Sequence, residues 1–226
     1  MPDYVIPCPT QPSLPIAGSS QRFPVRRIFC VGRNYAEHAR EMGNNPDLEP
    51  PFFFTKPADA LVISGQTIPY PPATTDLHHE AELVIAIGTG GSNIPAADAL
   101  AHVWGYASGN DLTRRDLQAD AKATRRPWDM AKAFDHSAVV GLLHPATAPL
   151  TGRITCTVDG TLRQDAQLTD MIWPVPGIIA YLSTLVTLMP GDLIFTGTPA
   201  GVGPLIPGQT CTVAIEGLSP ATVTIS

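Results

Sequence analysis

The hydrophobic positions of this chain fall in short runs bounded by glycine, proline and polar clusters, a pattern that predicts strands far more often than helices. Strands are expected at Val25–Val31, Phe52–Thr55, Leu61–Ile63, Ala81–Ile87, Trp104–Asn110, Arg153–Val158, Leu193–Thr196, Thr210–Ile215 and Ala221–Ile225, with an extended stretch over Thr67–Pro72. Helices are expected at Tyr35–Met42, capped by Asn34, and at Ala96–His102, Arg114–Arg125 and Ile178–Leu188. Pro127 ends the third of these. No regular strand-helix alternation emerges, which argues against a doubly wound sheet and for an α+β or β-roll body. Residues 1–24 hold six prolines and little periodicity, so they read as an extended segment ahead of a single domain over 25–226.

Composition narrows this picture. The 24 prolines and 19 glycines among 226 residues disfavour a helical bundle, because each interrupts helical hydrogen bonding or costs backbone entropy. With 15% charged residues and a net charge of -6, the chain offers phosphates no basic field, so neither nucleic acid nor an anionic membrane is expected as a partner. The four cysteines are scattered without C-x-x-C spacing, and the first residues carry no signal-peptide pattern. A cytoplasmic protein with reduced thiols, acting on small molecules, is the expectation.

Candidate chemistry centres on His78-His79-Glu80-Ala81-Glu82. Residues two apart on a strand share a face, so Glu80 and Glu82 project together. A solvated strand end is the commoner meaning of such a pair, but Leu83–Ile87 is apolar throughout and hence buried on both faces. Paired carboxylates leading into it then line an interior cavity, where a bound cation offsets their charge. Asp111, at the end of another apolar strand, is the candidate third ligand, and an all-oxygen set of three carboxylates suits Mg²⁺ or Mn²⁺ better than zinc. His78 and His79 could ligate instead but read as supporting residues.

His38 and Glu41, three apart on a short helix, form a second constellation in which the carboxylate orients an imidazole able to take a proton from water. Lys132, set among aromatic and small residues, is a candidate desolvated cation beside an anionic substrate, and the Thr196–Gly203 segment offers backbone N–H groups for a carboxylate.

Taken together, Gly32-Arg33-Asn34-Tyr35, His38, Glu41, Lys56-Pro57, His79–Glu82, Asp111, Thr113–Gln118, Pro127-Trp128, Lys132, Phe134-Asp135, Gly191-Asp192 and Thr196–Pro199 resemble the fumarylacetoacetate hydrolase family. Phe54–Ala60 and Thr113–Gln118 are similar to their counterparts in the bacterial fumarylpyruvate hydrolases and acylpyruvases of that family. The resemblance implies a mixed β-roll, usually homodimeric, that hydrolyses the carbon-carbon bond of a 2,4-dioxo acid such as fumarylpyruvate. It implies Glu80, Glu82 and Asp111 as ligands of Mg²⁺ or Mn²⁺, a His38–Glu41 dyad, and Lys132 as a catalytic cation. Arg33, Asn34, Gln118 and Thr198 are the candidate substrate contacts. Oxaloacetate decarboxylation and dienedioate isomerisation are the rival chemistries on such a site, and a non-catalytic binding protein is the rival from another class.

Overall fold

The computed structural model describes residues 4–37, 50–146 and 148–226. Its backbone is an eight-stranded mixed sheet, a five-stranded sheet facing it, and two smaller sheets. The large sheet runs in the order Phe52–Lys56, Arg27–Gly32, Asp192–Phe195, Ala81–Ile87, Val103–Asp111, Ala138–Val140, Leu61–Ile63, with His144–Pro145 also paired to Val103–Asp111. Neighbours are antiparallel except for two parallel pairs, Asp192–Phe195 with Arg27–Gly32 and Ala138–Val140 with Leu61–Ile63. The five-stranded sheet is ordered Thr161–Gln167, Arg153–Val158, Thr210–Ile215, Ala221–Ile225, Gln66–Ile68. Mixed sheets with few helices confirm the expected α+β class.

Both faces of the large sheet are covered, which is why Ala81–Ile87 is buried at every position. Alternation divides its side chains between two cores. Leu83, Ile85 and Ile87 meet Ile154, Val213 and Val223 of the five-stranded sheet together with Ile178 and Leu182 of a helix. Val84 and Ala86, on the other face, join Ile28, Cys30, Ala107, Val140 and Phe195. That second core is closed by the N-terminal residues: Ser13–Pro15 and Arg22–Pro24 pair as an antiparallel hairpin, and Leu14, Phe23 and Val25 are buried in it. Residues 13–24 of the proline-rich start thus lie against the body as a hairpin, while residues 4–12 form neither helix nor strand.

Element boundaries differ from expectation where local chemistry was ambiguous. The helix expected at Ile178–Leu188 spans Val175–Leu185, because Pro176 fits the first turn, where its missing N–H costs nothing. Arg115–Thr124 ends at Arg125, which turns left-handed (φ 54°) ahead of Pro127. Only Ala99–His102 of the expected Ala96–His102 helix is helical, as a single 3₁₀ turn. Tyr35 pairs with Met171 in an isolated bridge, and the expected helix starts one residue later, at Ala36 and Glu37; residues 38–42 lie outside the described residues. A short helix at Asp129–Lys132 was not anticipated. Among the described residues, no helix is long and apolar enough to cross a membrane.

Candidate metal centre and active site

Where the second core reaches the end of the large sheet, apolar side chains give way to charged ones on the same face. Asp111 donates its backbone N–H to the Glu80 carbonyl at 2.9 Å, so the two acids lie opposite one another across the antiparallel pair, and Glu82 follows Glu80 by two residues on that face. One oxygen from each of Glu80, Glu82 and Asp111 lies within 4.8 Å of the others, and all three residues are buried.

Three buried carboxylates need neutralising charge. Lys132 supplies part of it: its ammonium, on the short Asp129–Lys132 helix, donates to Glu80 Oε2 at 2.7 Å, Asp111 Oδ2 at 2.7 Å and Thr113 Oγ1 at 2.6 Å. Burial alone would lower its pKa, but Asp111 and Glu80 outweigh that and hold it above the ordinary lysine range. Lys56 Nζ faces Asp111 Oδ1 at 2.7 Å and donates to the carbonyls of Leu112, at 3.1 Å, and Lys132. Arg115 Nη2 donates to Glu80 Oε1 at 2.5 Å.

Glu82 differs from its neighbours. Its Oε2 accepts the Gly197 N–H at 2.7 Å, and it forms no ion pair with any described residue. Burial, then Asp111, then Glu80 push its pKa well above the usual carboxylate range. A buried acid set in which Glu82 has no ion-pair partner among the described residues, made wholly of oxygen donors around a cavity of about 30 Å³, fits a divalent cation of the Mg²⁺ or Mn²⁺ kind.

The other candidates separate into two groups. Arg33, Gln118, Thr198 and Lys132 all line the cavity above the acids. Gln118 Oε1 accepts Arg115 Nη1 at 2.6 Å and Thr198 Oγ1 accepts Gln164 Nε2 at 2.8 Å, while Arg33 takes the left-handed φ of 58° over the Phe52 ring. Asn34 does not line the cavity. Its amide donates to the carbonyls of Thr196, at 2.7 Å, and Trp173, at 3.0 Å, and its Oδ1 accepts the Trp173 N–H at 2.7 Å. These bonds tie the strand Arg27–Gly32 to the two segments beside it, and most of the helix that Asn34 was expected to cap lies outside the described residues. Within the Thr196–Gly203 segment, Thr198 lines the cavity, while the Gly197 N–H serves Glu82. Only glycine suits that position, where φ is +92° and a Cβ would stand 2.7 Å from Asn34 Cβ.

His38 and Glu41 lie outside the described residues. His78 pairs with Asp76 at 2.9 Å, and burial and Arg115 lower its pKa. His79 meets Gln164 Oε1 at 3.0 Å, and burial lowers its pKa too. Neither histidine lines the cavity, in keeping with a supporting role.

Sequence reasoning gave no role to Lys56 or Lys122. Lys56 sits far from Asp111 along the chain and becomes its partner only when the sheet assembles. Lys122, on the helix Arg115–Thr124, lines the cavity and stands 5.2 Å above the Trp128 ring. Burial, then Arg115 and Arg33, pull its pKa down to about 8.

Comparison with known proteins agrees with this geometry. Residues 27–226 match the family model described as fumarylacetoacetate (FAA) hydrolase C-terminal. The structure is similar to that of a fumarylpyruvate hydrolase from Pseudomonas aeruginosa in complex with Mn²⁺ and pyruvate, with a TM-score of 0.96, 49% identity and 99% of each chain covered. The sequence is also 43% identical to a mitochondrial oxaloacetate tautomerase of Arabidopsis thaliana, over 85% of this chain and 87% of the relative. A mitochondrial oxaloacetate decarboxylase of Dictyostelium discoideum is likewise 43% identical, over 85% and 90%. The chain belongs to the fumarylacetoacetate hydrolase family.

Proposed function

We propose that this protein is a hydrolase that uses Mg²⁺ or Mn²⁺ to cleave the carbon-carbon bond of an acylpyruvate, with fumarylpyruvate giving fumarate and pyruvate. The observation that carries this reading is Glu82, a buried carboxylate without an ion-pair partner among the described residues, beside Glu80 and Asp111 at the base of a cation-lined cavity. The similar Pseudomonas aeruginosa enzyme, which holds Mn²⁺ and pyruvate, supports it.

Glu80, Glu82 and Asp111 would hold the ion, which supplies Lewis-acid polarisation of the substrate's oxygens. The chain's own groups account for the rest. Arg33, Gln118 and Thr198 line the space above the acids and would orient the 2-oxo acid end of the substrate. His38, oriented by Glu41, is assigned the proton of the attacking water from its sequence pattern, and no histidine of the described residues lines the cavity. Water adds to the distal carbonyl carbon. The bond to the neighbouring methylene carbon then breaks, its electron pair staying with the pyruvate half as an enolate that takes a proton at that carbon. The Lys132 ammonium, fixed by Glu80, Asp111 and Thr113, places positive charge beside that developing enolate.

A second reading, enolisation or decarboxylation of oxaloacetate, is favoured by the Arabidopsis and Dictyostelium relatives, because the same enolate-stabilising site serves it without an attacking water. Parallel assays of one Mn²⁺-loaded preparation separate the two. Equimolar fumarate and pyruvate from fumarylpyruvate, with oxaloacetate tautomerisation and decarboxylation near background, is the expected result. Rapid turnover of oxaloacetate alone would replace the hydrolase reading with the second one.

A further inference from the structure

Gln164 is out of keeping with its strand. Thr161–Gln167 forms an edge of the five-stranded sheet, and Gln164 is its one fully buried residue. A buried amide has two hydrogens and two oxygen lone pairs to satisfy, and here all four are engaged. Oε1 accepts the Ala81 N–H at 3.0 Å and faces His79 Nδ1 at 3.0 Å, while Nε2 donates to the Pro199 carbonyl and to Thr198 Oγ1, both at 2.8 Å.

Two backbone partners fix which way this amide points. The Ala81 N–H can only donate and the Pro199 carbonyl can only accept, so a flipped amide would lose both bonds. His79 therefore carries a proton on Nδ1. Thr198 in turn must accept with its oxygen, which leaves the hydroxyl hydrogen to be donated elsewhere. That hydrogen meets no acceptor among the described residues, and Thr198 lines the cavity beside Glu80 and Glu82, whereas Gln164 does not. A ligand oxygen in the cavity is the acceptor it lacks.

We propose that Gln164 is a positioning residue: by donating to Thr198 Oγ1 it locks that hydroxyl in the sense that donates into the cavity, to a carboxylate oxygen of the bound 2-oxo acid. A hydroxyl held this way needs no reorientation when the ligand arrives. The proposal rests on a 2-oxo acid occupying the cavity, which the hydrolase and oxaloacetate readings share.

Gln164 also holds the Ala81 N–H between Glu80 and Glu82, so a loss of stability or of metal affinity would not distinguish this role from a structural one. The test is a double-substitution cycle read as pyruvate affinity of Mn²⁺-loaded protein by calorimetry. Gln164→Glu keeps an oxygen for Ala81 and His79 but brings at most one hydrogen where the amide has two. It is expected to weaken pyruvate binding about tenfold in the parent and less than about twofold in Thr198→Val, which is itself about tenfold weaker than the parent. Thr198→Ser, which keeps the hydroxyl, should stay within about threefold of the parent and remain sensitive to Gln164→Glu. An equal penalty in the parent and Thr198→Val backgrounds, or none in the parent, would overturn the proposal. If Gln164→Glu does not fold, a crystal structure of the parent with Mn²⁺ and pyruvate decides: Thr198 Oγ1 is expected within about 3.2 Å of a pyruvate carboxylate oxygen, and a separation beyond about 3.5 Å would overturn it. A parent that binds pyruvate but hydrolyses no acylpyruvate would end the hydrolase reading alone, whereas a Mn²⁺-loaded parent that binds no pyruvate would overturn this proposal.

Discussion

Replacing Glu82 with glutamine should move stability and metal affinity in opposite directions. Glu82→Gln keeps the shape and can still accept the Gly197 N–H, while removing a buried negative charge that faces Asp111 and Glu80 without an ion-pair partner among the described residues. An unsatisfied buried charge costs at least as much as an unsatisfied polar group, so the metal-free variant should gain about 1–3 kcal/mol over the metal-free parent at pH 7.5. The sign of the pH dependence follows from the raised folded-state pKa. A carboxyl that is harder to ionise in the folded protein contributes stability fully present below its unfolded pKa, near 4.3, and lost as pH rises through the folded value. The gain from glutamine should therefore be small at pH 5 and grow towards pH 7.5. Affinity for Mn²⁺ should drop by about a hundredfold or more, since loss of groups that merely support metal ligands already costs about 10–100-fold. Denaturant titration of metal-free protein and calorimetry with MnCl₂ read the two effects. A metal-free variant less stable than the parent, or with unchanged Mn²⁺ affinity, would refute the assignment of Glu82.

Two further substitutions probe the surroundings of the acids. Lys56→Met removes one of the two ammonium partners of Asp111, leaving Lys132 on Oδ2, and should destabilise the fold by about 1–3 kcal/mol in denaturant titration, because Oδ1 of a fully buried carboxylate loses its partner; a loss under about 0.5 kcal/mol would contradict the pairing. Asn34→Ala removes two amide donations and one acceptance and should cost about 2–4 kcal/mol, with KM for the acylpyruvate changing less than about threefold in surviving enzyme; a large KM rise at unchanged stability would return Asn34 to the substrate contacts.

The site's acids were legible because strand geometry is local. Glu80 and Glu82 share a face by period, and the apolar run after them could only be buried, which told the reader that their charges needed a partner. The nine-residue strand ending at Asp111 was legible for the same reason. Lys56 was not, since its partner is fixed by sheet order, which no local pattern encodes. Thr161–Gln167 escaped as a strand because it is an edge with most side chains in water; Gln164 alone is fully buried, where it holds His79, Ala81 and Thr198. Asn34 was ambiguous for a chemical reason: its short amide suits a helix cap or a substrate equally well, and no local pattern announces the carbonyls of Thr196 and Trp173 that take up its N–H groups.

Release of pyruvate from fumarylpyruvate by metal-stripped protein, before and after adding Mn²⁺ or Mg²⁺, tests the central claim most directly. Negligible release before metal, restored by the ion in the parent and not in Glu82→Gln at the same concentration, is the expected result. Equal release with and without metal, or none from a parent shown by calorimetry to have bound Mn²⁺, would contradict it.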